Sequence, residues 1–165
     1  MKNLIRKLRV LFNTHSIDGY IIPKNDEFFS EHANKDRLKK ITNFTGSAGY
    51  AIILKNKNYL FVDSRYTIQA KIESRKEFEI YDYEKIFDFK KIKDLIIGLD
   101  PSLFTSEQIQ KIFPRKNIKV IKENLIDKIL KNKKLKINNF YSLDEKITGQ
   151  SHLTKINIIT RFLKK

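Results

Sequence analysis

Two short segments carry the side chains most able to do chemistry. Phe44-Thr45-Gly46-Ser47-Ala48-Gly49 sets two glycines, two hydroxyl residues and an aromatic directly before an apolar run. That composition suits a tight backbone presenting hydrogen-bond donors in a cleft. Asp63-Ser64-Arg65-Tyr66 follows the next apolar run, where a strand hands over to a helix. Taken alone, each segment reads equally well as turn chemistry. Carboxylates also cluster at Asp26, Glu27, Glu31 and Asp36, a set able to pair for acid–base work or to hold a hard cation. Basic neighbours Lys24, Lys35 and Arg37 balance them, and a solvated loop is the preferred reading.

Other chemistries are excluded by spacing. A dinucleotide fingerprint needs a glycine two residues before Gly46, where Phe44 stands, and no Gly-Lys-Ser/Thr phosphate loop occurs. Ser47 lacks the flanking glycines of a nucleophile elbow. His15, His32 and His152 are far apart and lack the paired helical spacing of a zinc helix, so they read as surface or satisfied core residues. With no cysteine in 165 residues, thiolate metal sites, cysteine nucleophiles and disulfides are out.

The elements that position these residues follow from periodicity. Leu4, Ile5, Leu8, Leu11 and Phe12 fall at helical spacing, so an amphipathic helix opens the chain. Tyr20-Ile21-Ile22 reads as a strand closed by Pro23. Residues 30–40 are too charged for a core helix and are expected to form a short surface one. Ala51 to Leu54 and Tyr59 to Val62 flank a polar Lys55-Asn56-Lys57-Asn58 turn, the clearest hairpin of the sequence. Asp63 or Ser64 can cap a helix through Tyr66, Ile68, Ala70 and Ile72. Phe78 to Tyr81, Leu95 to Leu99 and Ile118 to Ile121 read as strands. Thr105 and Gln108 form a capping box before Ile109, Ile112 and Phe113, with Pro114 as the stop. Leu125 to Leu130 and Ser151 to Lys165 complete the helices. Alternating strands and helices give an α/β class, with one antiparallel hairpin in a mixed β-sheet flanked by helices.

The formal net charge is +15, unevenly spread: residues 1–110 carry +4 and residues 111–165 carry +11. A basic region suggests an anionic partner. Here the charges are mostly Lys (Lys128, Lys131, Lys133, Lys134, Lys136) without interleaved aromatics, which fits a solvated face better than nucleic-acid readout. No stretch approaches the length of a membrane span and no signal-peptide core is present, so the expected setting is soluble and cytoplasmic.

Several motifs then fall in a familiar order. Ile22-Pro23-Lys24-Asn25-Asp26, Ser30-Glu31-His32, Arg37, Phe44 to Gly49, Asp63-Ser64-Arg65-Tyr66 with Gln69-Ala70, Gly98-Leu99-Asp100-Pro101, Asn124 to Asp127, and Thr148-Gly149-Gln150-Ser151 with Lys155 and Ile156 closely resemble the amino-terminal domain of Xaa-Pro aminopeptidases, in the creatinase and prolidase superfamily. The resemblance covers essentially the whole chain. It implies a single domain over 1–165 with a creatinase/prolidase N-terminal, ribonuclease H-like architecture, and a role in an Mn-dependent metallopeptidase that cleaves Xaa-Pro bonds. It further implies that the two divalent metals, manganese, sit with their Asp, His and Glu ligands in a carboxy-terminal pita-bread domain. None of those ligands can be assigned to this chain, which is expected to be a truncated or split, non-catalytic domain, inactive alone.

On that resemblance no residue here is catalytic or metal-binding. Phe44 and Ser47 are expected to face the substrate at the rim of the cleft, with Arg37 supporting the loop. Gly46, Gly49, Asp63, Arg65 and Tyr66 are expected to shape it, Asp63 to Arg65 bracing the strand-to-helix junction. Implied partners are a second copy in a homodimer or a separate catalytic chain, with peptide substrate bound only when the catalytic domain is present. A basic interaction module or nucleic-acid-binding domain is the alternative. Two positions depart from the family: Phe28 stands where His is frequent, and Ser64 where Gly is frequent.

Overall fold

The computed structural model describes residues 1–30, 35–114, 117–130 and 141–164. They fall into two units, Met1–Asn132 and Lys133–Lys165. The first is built on a six-stranded sheet of order β4-β3-β2-β1-β5-β6, comprising β1 (Gly19–Pro23), β2 (Gly49–Leu54), β3 (Asn58–Val62), β4 (Glu79–Asp82), β5 (Ile97–Leu99) and β6 (Ile118–Val120). β2 runs antiparallel to both β1 and β3, while β3–β4, β1–β5 and β5–β6 are parallel. The sheet is mixed, as expected, with a second antiparallel pairing between β1 and β2 beside the hairpin.

The central strands are apolar on both faces because both are covered. Tyr20, Ile22, Ala51, Ile53, Leu60 and Val62 point to one core. Helix α1 (Lys2–Thr14) packs there through Ile5, Leu8 and Phe12, together with α2 (Arg37–Thr42), α3 (Thr67–Ser74) and α5 (Leu125–Leu130). The alternate residues Ile21, Tyr50, Ile52, Tyr59 and Phe61 meet Ile86, Ile92, Leu103 and Ile112 on the other face. That face is covered by 3-10 turns Tyr83–Asp88 and Lys90–Ile92 and by α4 (Ser106–Ile112). Thr105 and Gln108 cap α4 reciprocally, as the capping box requires.

One expectation is corrected. The helix expected over 30–40 begins at Arg37, after Asp36 caps it, and it is a core helix, because Leu38 and Ile41 are fully buried at i and i+3. On α3, Ile68 and Ile72 face solvent, while Ala70 and Ser74 are buried. The second unit contains α6 (Glu145–Thr148) and α7 (His152–Leu163). Gly149 ends α6 at φ 74, a conformation glycine adopts without strain, and the Ser151 hydroxyl caps α7 by accepting from Thr154 N at 3.0 Å. Among the described residues no helix is long and apolar enough to cross a membrane.

Candidate functional site

The hairpin brings the two chemistry-bearing segments to one end of the sheet. Gly49 pairs with Val62 and Pro23 with Tyr50, so the 44–49 loop, the junction after β3 and the segment after β1 emerge side by side. Lys24 N donates to Gly49 O at 3.0 Å and ties two of them together.

The loop is fastened from below and from the side. Asn43 closes α2 in the left-handed region, and Phe44 N donates to the Thr42 hydroxyl at 3.0 Å. Glu73 on α3 accepts from Thr45 N and from Thr45 Oγ1, both at 2.7 Å, while Gln69 Nε2 donates to Thr45 Oγ1 at 2.7 Å and to Glu73 Oε1 at 3.1 Å. Burial works against the Glu73 carboxylate, but the bonds from Thr45 and Gln69 outweigh it and hold the carboxyl below its ordinary range. Ser47 Oγ lies 3.0 Å from Tyr66 Oη, sharing one proton in either direction.

Phe44, expected to face the substrate, is turned inward. Its side chain is fully buried, edge-on to Tyr66 at 5.9 Å between ring centroids. A Cβ at Gly46 would come within 2.2 Å of the Phe44 ring, so Gly46 is there to let the backbone cross an aromatic. Ser47 is half-buried and Thr45 exposed, which leaves these two hydroxyls as the loop's accessible polar groups. Asp63 accepts from Arg65 N at 3.0 Å and from its guanidinium at 2.9 Å, closing the 3-10 turn Ser64–Tyr66, and the guanidinium lies 5.6 Å from the Tyr66 ring centroid.

Glu73 and Gln69 brace this loop, whereas the side-chain bonds of Arg37, expected to support it, run to Asp127 and Glu27. Arg37 is 2% exposed and bridges three segments. Its Nε and Nη2 grip Asp127 on α5 at 3.0 and 2.7 Å, and Nη2 also meets Glu27 at 2.6 Å. The Arg37 bond holds the Glu27 carboxyl below its usual range. Burial opposes the Arg37 charge, and the bonds to Asp127 and Glu27 more than restore it. Lys24 pairs with Asp36, and Asp26 folds its own loop by accepting from Phe28 N and Ser30 N at 3.0 and 3.1 Å. The expected solvated loop is therefore a set of matched charges, with Lys24, Asp26 and Arg37 all buried. Phe28, at the family's frequent His position, is 88% exposed, so that departure falls on the surface.

These residues do not fit a metal. Among the described residues no group of three or more His, Asp or Glu converges on a point, and Asp26, Glu27 and Asp36 already accept from Arg37, Lys24 or backbone amides. His15 is half-buried with Nε2 lacking a hydrogen-bond partner, contrary to a satisfied core histidine, and His152 is exposed. Glu31, His32, Lys131, Lys133, Lys134 and Lys136 lie outside the described residues. Glu73 escaped the sequence reading, although Gln69 and Glu73 at i and i+4 share one helical face and signal a paired contact.

Comparison with known proteins agrees with this geometry. Residues 5–129 match the Creatinase/Prolidase N-terminal domain. A probable Xaa-Pro aminopeptidase P of Laccaria bicolor is 34% identical over 98% of this chain, and Xaa-Pro aminopeptidase 1 of Dictyostelium discoideum 27% over 98%. The chain spans 28% and 30% of those two relatives. The X-prolyl aminopeptidase of Caenorhabditis elegans, a cytosolic enzyme with a di-nuclear active site, shares the fold at a TM-score of 0.76 and 23% identity, over 99% of this chain and 31% of that one. The N-terminal domain of the cytoplasmic peptidase PepQ from Mycobacterium tuberculosis shares it at 0.60 and 14% identity, over 77% of this chain and 98% of that one. A mixed sheet in this strand order, a braced glycine loop and a family match over most of its length place the chain in the creatinase/prolidase N-terminal domain family.

Proposed function

We propose that this chain serves as the non-catalytic amino-terminal domain of an Xaa-Pro aminopeptidase. The 44–49 loop forms part of the rim of the substrate cleft, and the domain contributes to dimerisation. Chemistry on the Xaa-Pro bond belongs to a domain carrying two divalent metals, manganese, on the same polypeptide or a partner chain, in the cytoplasm. The observation that carries this reading is the loop itself. Thr45 and Ser47 present hydroxyls at the end of the sheet while Glu73, Gln69, Phe44 and Tyr66 hold the backbone beneath them. Thr45 Oγ1 gives its proton to Glu73 and so fixes the loop, and the Ser47–Tyr66 hydroxyl pair is the group that can donate to a peptide without reacting with it.

The test is hydrolysis of Xaa-Pro peptides with Mn²⁺. The chain alone should turn over none, and activity should appear when a metal-bearing catalytic domain is joined or added. In that active assembly Ser47→Ala should lower kcat/KM by about tenfold, the loss of one positioned hydrogen bond. Activity of the chain alone, or an unchanged kcat/KM in the Ser47 variant, rejects the proposal.

A further inference from the structure

The opposite end of the sheet has no part in that reading, and it carries a concave apolar site. Gly19 pairs with Ile97 where β1 and β5 begin, and Lys93 and Asn117 lead into β5 and β6. Between the 3-10 turns before β5 and the end of α4 lies a cavity of about 540 Å³, within the usual range of small-molecule sites. Ile92, Ile112 and Phe113 are buried and form its floor, with Phe87 and Phe89 as walls. Lys90, Lys93 and Asp88 stand exposed at its rim, two cations against one carboxylate.

Both walls are fixed in advance. Lys91 turns onto the rings of Tyr59, Tyr81 and Phe89, at 5.1, 5.3 and 6.0 Å from their centroids, and it donates to Glu79 at 2.9 Å and to Tyr81 Oη at 2.7 Å. Phe89 also packs edge-on to Phe61 at 4.9 Å. These contacts hold the aromatic wall against the sheet. On the other side the Asn117 side-chain amide donates to the Lys93 carbonyl, joining the start of β6 to the segment before β5. A ligand entering here need not order the loop, which removes a large part of the cost of binding.

We propose that this cavity binds a small aromatic carboxylate, its ring between Phe87, Phe89 and Phe113 and its single negative charge between Lys90 and Lys93. The apolar floor selects a ring or branched chain over a polar body. Among the described residues the rim selects an anion over a cation, because an ammonium would face Lys90 and Lys93 with Asp88 in return.

The experiment is a titration of the ¹⁵N-labelled full chain with 3-phenylpropanoate, read by amide shifts. Saturable shifts are expected at Phe87–Lys93, Ile112, Phe113 and Asn117, with a Kd of about 1 mM for a probe of this size. Reversing the two exposed rim charges (K90E/K93E) should weaken binding about tenfold, and the uncharged 3-phenylpropan-1-ol should bind about fivefold more weakly than the acid. Absence of saturation, shifts elsewhere on the domain, equal affinity for acid and alcohol, or unchanged affinity in K90E/K93E would each overturn the proposal. None of these results bears on Ser47, which lies at the other end of the sheet.

Discussion

The two partners of the Arg37–Asp127 pair differ in how they meet solvent, and removing one should cost much more than removing the other. Arg37 is 2% exposed, whereas the side chains of Asp127 and Glu27 are 25% and 38% exposed. Asp127→Ala strips the guanidinium of both bidentate bonds, at 3.0 and 2.7 Å, and leaves Glu27 as its one carboxylate partner among the described residues. A buried charge left with half its compensation costs about 3 kcal/mol, the low end for broken buried pairs because Glu27 remains. Loss of an acidic group from the first turn of α5 adds about 0.5 kcal/mol. Arg37→Met leaves two carboxylates that already reach water and that Lys35 approaches at 3.6 and 4.0 Å. It also removes Nη1, a buried donor with no hydrogen-bond partner. Its cost should be about 1 kcal/mol, because methionine refills most of the apolar volume. Urea denaturation followed by far-UV circular dichroism, with m-values compared to confirm a common unfolding transition, measures both. If Arg37→Met proves as destabilising as Asp127→Ala, the argument from unequal solvation is wrong and the guanidinium's attractions dominate.

Two further outcomes follow from the loop. Gly46→Ala would place a Cβ 2.2 Å from the ring of a fully buried Phe44, so it should cost about 2 kcal/mol, read as a lower Tm; Phe44→Leu in the same chain should recover part of that loss. Glu27 and Glu73 both have folded-state carboxyls held below the ordinary 4.5. Their stabilising contribution is thus complete above that value and is lost as pH falls through the lowered folded values. The urea midpoint should decline below about pH 4.5, and Glu27→Gln with Glu73→Gln should flatten that decline, while an unchanged slope would assign it to other carboxylates.

What the sequence disclosed was local. The β2–β3 hairpin follows from alternation around a polar turn, and the Thr105 box from a three-residue spacing, each decided within a few residues. The conspicuous charge of α2 points to a surface helix, because its Leu38 and Ile41 are only two, yet burial of that pair outweighs the solvation of its lysines. Proximity in sequence points Arg37 toward the 44–49 loop, since nothing local reveals a carboxylate partner at Asp127, 90 positions away. An aromatic beside a glycine fits a cleft floor and a buried wedge equally well. Only the third dimension shows that the buried Phe44 ring lies against Gly46.

The division of labour at this end of the sheet follows from how its acids are engaged. A general base must hold a pKa near working pH and keep a free lone pair in reach of the proton it takes. Glu27, Asp63 and Glu73 are instead held below their ordinary values, by Arg37, by Arg65 and by the donors on Thr45 and Gln69 respectively. At neutral pH they are carboxylates acting as fixed acceptors, and each fastens a piece of backbone: the 26–30 loop, the turn after β3 and the amide of Thr45. The Ser47 hydroxyl, whose partner is the Tyr66 hydroxyl and not a carboxylate, is suited to orienting a substrate rather than attacking it, while the Thr45 hydroxyl is held by Glu73. Changing the frame should accordingly move KM and kcat/KM of an assembled enzyme together while leaving the pH dependence of kcat where the metal-bearing domain sets it. A shifted acid limb of the kcat profile in Glu73→Gln would show that this carboxylate takes part in proton transfer after all.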